Sequence, residues 1–281
     1  MKITAHTICK NEATFIWYAV TSVIDYVDEH LIWDTESTDD TPEIVKALAK
    51  KYPKKIKTRF LKNYDVSQFT PARQSMIDES TGDWILIADA DEVWWDDHID
   101  NVTGFIRSKG GAYETIYNRC INLVGDVFHK QPESAGRYSI DGIKGHLNVR
   151  AMNRSIPGFC VKRPHGTQAF FDGNGKPVYE RDRSKRYFYD QYSYLHFTNI
   201  VRSTSRDEDR GVPKRNFKYK YELGISLPRD YYFPESFFRH RPEIVSSPWT
   251  NRSLSYTSRA ALQTPLKNIR RSLNIFHKEG Y

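Results

Sequence analysis

The chain has 281 residues, 39% hydrophobic and 27% charged, which is enough for one large α/β domain with an appendage; no apolar run approaches the roughly 20 residues of a membrane-spanning helix. Cys9, Cys120 and Cys160 are odd in number and widely spaced, which excludes a paired disulfide framework and points to a reducing, cytoplasmic compartment. The net charge of +7 conceals a split of −8 over residues 1–100 and +15 over the remainder, an acidic half suited to a cation and a basic half suited to an anionic partner.

Residues 3–9 alternate as a short strand, and Ile16, Val20, Ile24 and Val27 follow at helical spacing. The first six residues lack the apolar stretch of a signal peptide. His30 to Asp34 reads as a second strand, and Pro42 stands where a first helical residue belongs, ahead of Ile44, Val45 and Leu48. Lys57 to Leu61 is a third strand, Pro71 to Ser80 a helix, and Trp84 to Ala88 an unbroken apolar run that suits a strand buried on both faces. Such alternation predicts a parallel, doubly wound sheet over the first ~100 residues. Beyond Gly111 the strand-like pieces Glu114–Leu123 and His146–Met152 are separated by loops, which suggests mixed pairing. From Arg202 periodicity weakens until Pro265–His277, where Leu266, Ile269, Leu273 and Phe276 fall on one helical face.

The run Asp89-Ala90-Asp91-Glu92 closes the buried fourth strand. Carboxylates at that place are costly unless a positive group faces them, and oxygen ligands of this kind suit Mg²⁺ or Mn²⁺. Capping of the following segment is the alternative. Topology favours the metal, because ligands of an open parallel sheet bind outside the carboxyl ends of its strands. Lys10-Asn11-Glu12 and Asp34 end the first two strands and are expected on the same edge.

These residues resemble a known family. Thr7-Ile8-Cys9-Lys10-Asn11-Glu12, Ile32 to Thr41, Ala72-Arg73-Gln74 and Gly82 to Glu92 match, in order and spacing, the family 2 glycosyltransferases with the GT-A fold. The resemblance implies a Rossmann-like, mostly parallel central sheet flanked by helices, a mixed-strand acceptor region and a helical or irregular C-terminal extension. Residues 1–200 would form the catalytic domain, with 1–110 binding the nucleotide sugar and 111–200 the acceptor and metal, and 201–281 would be a basic extension. It further implies hexosyl transfer from a nucleotide-diphosphate donor to a saccharide or lipid-linked acceptor, dependent on Mn²⁺ or Mg²⁺ and inverting. Thr7, Asn11, Glu12, Asp34, Arg73, Asp89 and Ala90 would contact the nucleotide sugar, and Asp91, Asp89 and His196 the metal.

One position departs from the family pattern: Gly166 stands where relatives carry an acid after a histidine, here His165. An inverting transfer needs a carboxylate to take the acceptor's proton. Asp141, Asp172, Glu180 and Asp182 are candidates, with Asp141, ahead of a strand, preferred over the others; a plain Asp-Gly turn is its other reading. Trp94 and Trp95 either stack on an acceptor sugar or anchor the next helix, and anchoring is expected for one of them. Lys267, Arg270, Arg271 and Lys278 make residues 265–281 a basic amphipathic segment suited to peripheral contact with an anionic membrane, or else to packing on the domain. A nucleotidyltransferase would require a glycine-rich phosphate loop after the first strand, which Lys10-Asn11-Glu12-Ala13 does not provide. Nucleic-acid binding through the basic half leaves the acidic edge unexplained, so no nucleic-acid partner is expected. A degenerate, sugar-nucleotide-binding protein is the third alternative.

Overall fold

Strands and helices alternate through the first part of the chain: β1 (Ile3–Cys9), α1 (Ile16–Val23), β2 (Glu29–Asp34), α2 (Thr41–Lys51), β3 (Ile56–Phe60), α3 (Phe69–Glu79) and β4 (Trp84–Ile87). A short β5 (Glu92–Trp94) and α4 (Asp96–Lys109) lead to β6 (Thr115–Val124), β7 (Asp126–Lys130), β8 (Tyr138–Ile140), β9 (Ile143–Gly145), β10 (Leu147–Asn153), β11 (Cys160–Lys162), β12 (Ala169–Phe171) and β13 (Arg186–Asn199). Then come α5 (Arg206–Gly211), α6 (Arg215–Lys218), β14 (Ile225–Ser226), α7 (Leu254–Leu273) and β15 (Lys278–Glu279). This computed structural model describes residues 1–136 and 138–273 and the backbone of 278–279.

The central sheet runs β14-β7-β6-β10-β4-β1-β2-β3, and β13 joins it beside β6 and β5. Its β3-β2-β1-β4 half is parallel, as the crossover helices require. β10 is antiparallel to both β4 and β6, while β13 runs parallel to β6 and antiparallel to β5. The mixed half expected after Gly111 is therefore present. The sheet is buried on both faces at its centre, where all four residues of β4 are inaccessible. Gly82 precedes β4 because a Cβ there would lie 2.6 Å from the Thr4 backbone nitrogen of β1.

Helix α1 is buried along its whole length because later segments cover it. Tyr18 donates to the Ser246 carbonyl at 2.7 Å, and Phe237 packs edge-on against its ring. Phe233, Phe237 and Val245 thus belong to the main core, and in α7 Tyr256 and Ala260 are buried and Arg271 pairs with Glu222, so the extension expected from residue 201 is integrated with the domain. Trp94 is fully buried, and the Trp95 indole donates to the Tyr232 carbonyl at 3.0 Å, so both tryptophans anchor the fold and neither is presented to an acceptor.

The final helix also differs from expectation. It begins at Leu254, eleven residues before Pro265, after Ser253 accepts a hydrogen bond from the Tyr256 amide at 3.1 Å. Pro265 lies inside it. Pro265 and Ala261 are both exposed, so water can satisfy the carbonyl that proline cannot bond. Of the residues expected on its apolar face, Phe276 lies outside the described residues, as do His277 and the Lys278 side chain.

Candidate active site

Parallel register carries three loops to one edge of the sheet. Cys9 of β1 pairs with Asp34 of β2 and His6 with Ile87 of β4, so the loops starting at Lys10, Thr35 and Ala88 are neighbours. They open onto a cleft of about 690 Å³. The carboxylates lining it are Glu12, Asp89 and Asp91.

Each is met by guanidinium groups. Asp89 lies 3.6 Å from Arg73 and 3.4 Å from Arg150. Arg150 also pairs with Glu92, which is fully buried behind the cleft. Asp91 pairs with Arg202, and that guanidinium reaches Glu12 at 3.3 Å. Arg215 closes the network, bonded to Glu12 at 2.5 Å and to Asp209 at 3.1 Å. Burial pushes the Asp91 carboxyl up, but Arg202 and His196 outweigh it and hold the group well below the usual carboxylate range. For Glu12 burial wins over Arg202 and Arg215, and its pKa rises to about 7.

His196, on β13, presents Nε2 to Asp91 Oδ2 at 3.4 Å, longer than an N–H···O hydrogen bond. Burial lowers its pKa, so the imidazole is neutral near pH 7. Among the described residues no group of three or more His, Cys, Asp or Glu side chains is arranged as a complete metal cage. The donor set of Asp91 and His196 nevertheless fits a hard divalent cation that takes its other ligands from phosphate oxygens and water, the usual habit of Mg²⁺. No hydrogen bond engages Asp91 Oδ1 among the described residues; Oδ2, which faces His196, is already paired with Arg202, so a cation there would share that carboxylate. Lys218 also lines the cleft and, among the described residues, has no ion-pair or hydrogen-bond partner.

Of the residues expected at the nucleotide sugar, Glu12, Arg73, Asp89 and Ala90 line the cleft. Thr7, Asn11 and Asp34 do not, because their polar atoms are used in holding the edge together. Thr7 donates to the Ala88 carbonyl at 2.5 Å and contacts His30 at 2.8 Å, tying β1 to the strands on either side. Asn11, at φ 52°, accepts from the Thr38 amide at 2.8 Å. Asp34 accepts from the Ser37 amide at 3.0 Å, shaping its own loop.

Asp141, expected as the base, lies outside the cleft. It occupies the β8–β9 turn at φ 53°, next to Gly142 at φ 85°, the two left-handed positions of a tight hairpin. Its carboxylate pairs with Arg186 at 2.8 Å beside a separate depression. Asp172 pairs with Arg181, Asp182 caps Ser184, and Glu180 lines the same depression as Asp141, so none of the four faces the cleft. His165 does line it, packed edge-on to Phe69. Arg150, Arg202, Arg215 and Lys218 also line the cleft, and their only trace in the sequence is the surplus of basic residues after position 100.

A Rossmann-like sheet whose carboxyl edge carries an acidic, guanidinium-buttressed cleft makes this an α/β protein of GT-A type. The model of glycosyl transferase family 2 matches residues 4–160, more than half of the sequence, and the chain belongs to that family. An uncharacterized glycosyltransferase of Rickettsia felis is 41% identical over 91 residues, which is 32% of this chain and 29% of the relative. A TPR repeat-containing protein of Synechococcus elongatus is 38% identical over 85 residues, covering 30% and 19%. The matched part is thus less than a third of the length of either relative. The solved structure of S. aureus TarS 1–349 is 14% identical, with a TM-score of 0.44 and coverage of 70% of this chain and 61% of that one.

Replacing Asp91 tests the network. Because its folded-state pKa is depressed, its contribution to stability is present above the ordinary value of 3.8 and is lost as pH falls through the folded-state value. Asp91→Asn is expected to be less stable than the wild type by roughly 3 kcal/mol at pH 7, the difference shrinking below about pH 4 in urea denaturation.

Proposed function

We propose that this chain is a glycosyltransferase that moves a hexosyl group from a nucleotide-diphosphate donor to an acceptor hydroxyl, with inversion and with Mn²⁺ or Mg²⁺. The observation that carries the reading is the approach of Asp91 Oδ2 to His196 Nε2 at 3.4 Å, in a cleft also lined by Arg73, Arg150, Arg202 and Lys218. A cation held by Asp91 and His196 would neutralise charge on the departing diphosphate. Arg202 and Lys218 add fixed positive charge beside it, and partial burial strengthens that charge. Asp89, which lies between Arg73 and Arg150, would accept hydrogen bonds from ribose or sugar hydroxyls. His165, which lines the cleft, is proposed to take the acceptor's proton as an imidazole base in place of the carboxylate expected from the sequence, since Asp141 lies outside the cleft. Thr7, Asn11 and Asp34 support the donor pocket by fixing its loops.

The acceptor is proposed to be a saccharide or a lipid-linked saccharide, and α7 favours the second. Leu262, Leu266, Ile269 and Leu273 are exposed along one face of that helix. Arg259 and Arg270 flank the stripe, and the helix contains no acidic residue. An anionic lipid surface matches both the apolar face and the charge beside it. No helix of the described residues is long and apolar enough to cross a membrane, so the contact proposed is peripheral. Nucleic acid is not part of the proposal, because Arg202, Arg215, Arg239, Arg252 and Arg271 are engaged by carboxylates of the fold.

A thermal-shift screen of UDP-, GDP- and CMP-sugars with and without Mn²⁺ tests the donor reading. One donor class is expected to stabilise the wild type more with Mn²⁺ than without, and Asp91→Ala to lose that metal-dependent increment together with at least about 100-fold in transfer rate; no stabilisation by any donor would overturn it. For the membrane contact, Leu266→Glu combined with Leu273→Glu should leave donor binding intact and abolish co-sedimentation with phosphatidylserine-containing vesicles. Equal sedimentation of both proteins would contradict it.

A further inference from the structure

Behind His196 lies a chain of hydrogen bonds whose polarity is set at a backbone carbonyl. His146 Nε2 lies 3.2 Å from the Pro132 carbonyl oxygen, which can only accept, so Nε2 of His146 carries the proton. The neutral ring then has a lone pair on Nδ1, 2.9 Å from the Asn122 amide nitrogen, which donates to it. That fixes the direction of the Asn122 side chain. Its oxygen consequently faces His196 Nδ1 at 3.0 Å and accepts a proton from it. The Cys120 thiol, 3.6 Å from the same oxygen, is a second donor consistent with this direction. Asn122 and His196 are Cα partners across β6 and β13, so the sheet itself sets their separation.

We propose that Asn122 and His146 are positioning residues for the metal ligand. The relay from the Pro132 carbonyl through His146 and Asn122 locks His196 as the Nδ1–H tautomer, leaving its Nε2 lone pair toward Asp91. Two acceptors, Nε2 of His196 and Oδ2 of Asp91, then lie 3.4 Å apart with no proton between them; Arg202 already pairs with Oδ2, and a divalent cation ligated by His196 and Asp91 would share that carboxylate with it. Metal-bound histidines are held in this way by an outer hydrogen bond from the ring nitrogen that does not ligate. The inference rests on the metal-assisted reading above and adds what keeps the ligand in the right protonation geometry. Neither Asn122 nor His146 is required to touch donor or acceptor for this role.

The test begins with the metal-free wild type. Long-range ¹⁵N–¹H correlation of labelled histidines should show His196 protonated on Nδ1 and bare on Nε2; a proton on Nε2 overturns the relay. Mn²⁺ affinity, followed by the EPR signal of the free ion in the presence of UDP, is the second readout. Asn122→Leu should weaken it about 10- to 100-fold. Asn122→Asp, which can still accept the Nδ1 proton, should stay within a few-fold of the wild type. Equal affinity for the wild type and Asn122→Leu overturns the relay while leaving the metal site standing. A wild type that binds no Mn²⁺ overturns both, and if Asn122→Leu does not fold, the tautomer of the wild type and the rescue by Asn122→Asp decide.

Discussion

The Asp91–Arg202 ion pair is the constraint on which the site depends. A carboxylate at the end of a strand buried on both faces has lost most of its water, and a lone charge there would be severely destabilising. Arg202 compensates Asp91, shares itself with Glu12, and through Arg215 and Asp209 draws the segment after β13 down onto the carboxyl edge of the sheet. The same contacts place Lys218 in the cleft. Chemistry and architecture are therefore coupled: the residues that neutralise the acidic edge also build its far wall.

Seen this way, the charge asymmetry of the sequence has a structural cause. Basic residues of the second half supply counterions for acidic residues of the first: Arg150 for Asp89 and Glu92, Arg202 for Asp91 and Glu12, Arg239 for Asp96. Buried pairs of this kind add little net stability compared with apolar packing, but removing one partner is costly. Their value lies in fixing which loops meet. An open guanidinium-rich cleft beside a partly satisfied carboxylate is also what a diphosphate and its cation require.

Much of the first hundred residues was legible because apolar runs and helical spacing report burial directly. Trp84 to Ala88 could hardly be anything but an inner strand, and parallel topology then carried Glu12, Asp89 and Asp91 to one edge. Side-chain direction was less legible. Thr7, Asn11 and Asp34 do stand at that edge, yet hydrogen bonds to Ala88, Thr38 and Ser37 within the edge consume their polar atoms. The partners from the second half were hidden for a different reason: Arg202 meets Asp91 across 111 positions of sequence, a contact that no local pattern encodes. Asp141 illustrates the converse, since Asp-Gly was also open to the turn reading that the hairpin adopts.

The most direct measurement is the position of a bound metal. Crystals of the protein soaked with Mn²⁺ and UDP, with diffraction recorded at the manganese edge, are predicted to give one anomalous peak in contact with Asp91 and with Nε2 of His196, the nucleotide diphosphate completing its coordination. A UDP complex with no anomalous density there, or with manganese held by other residues, would contradict the account.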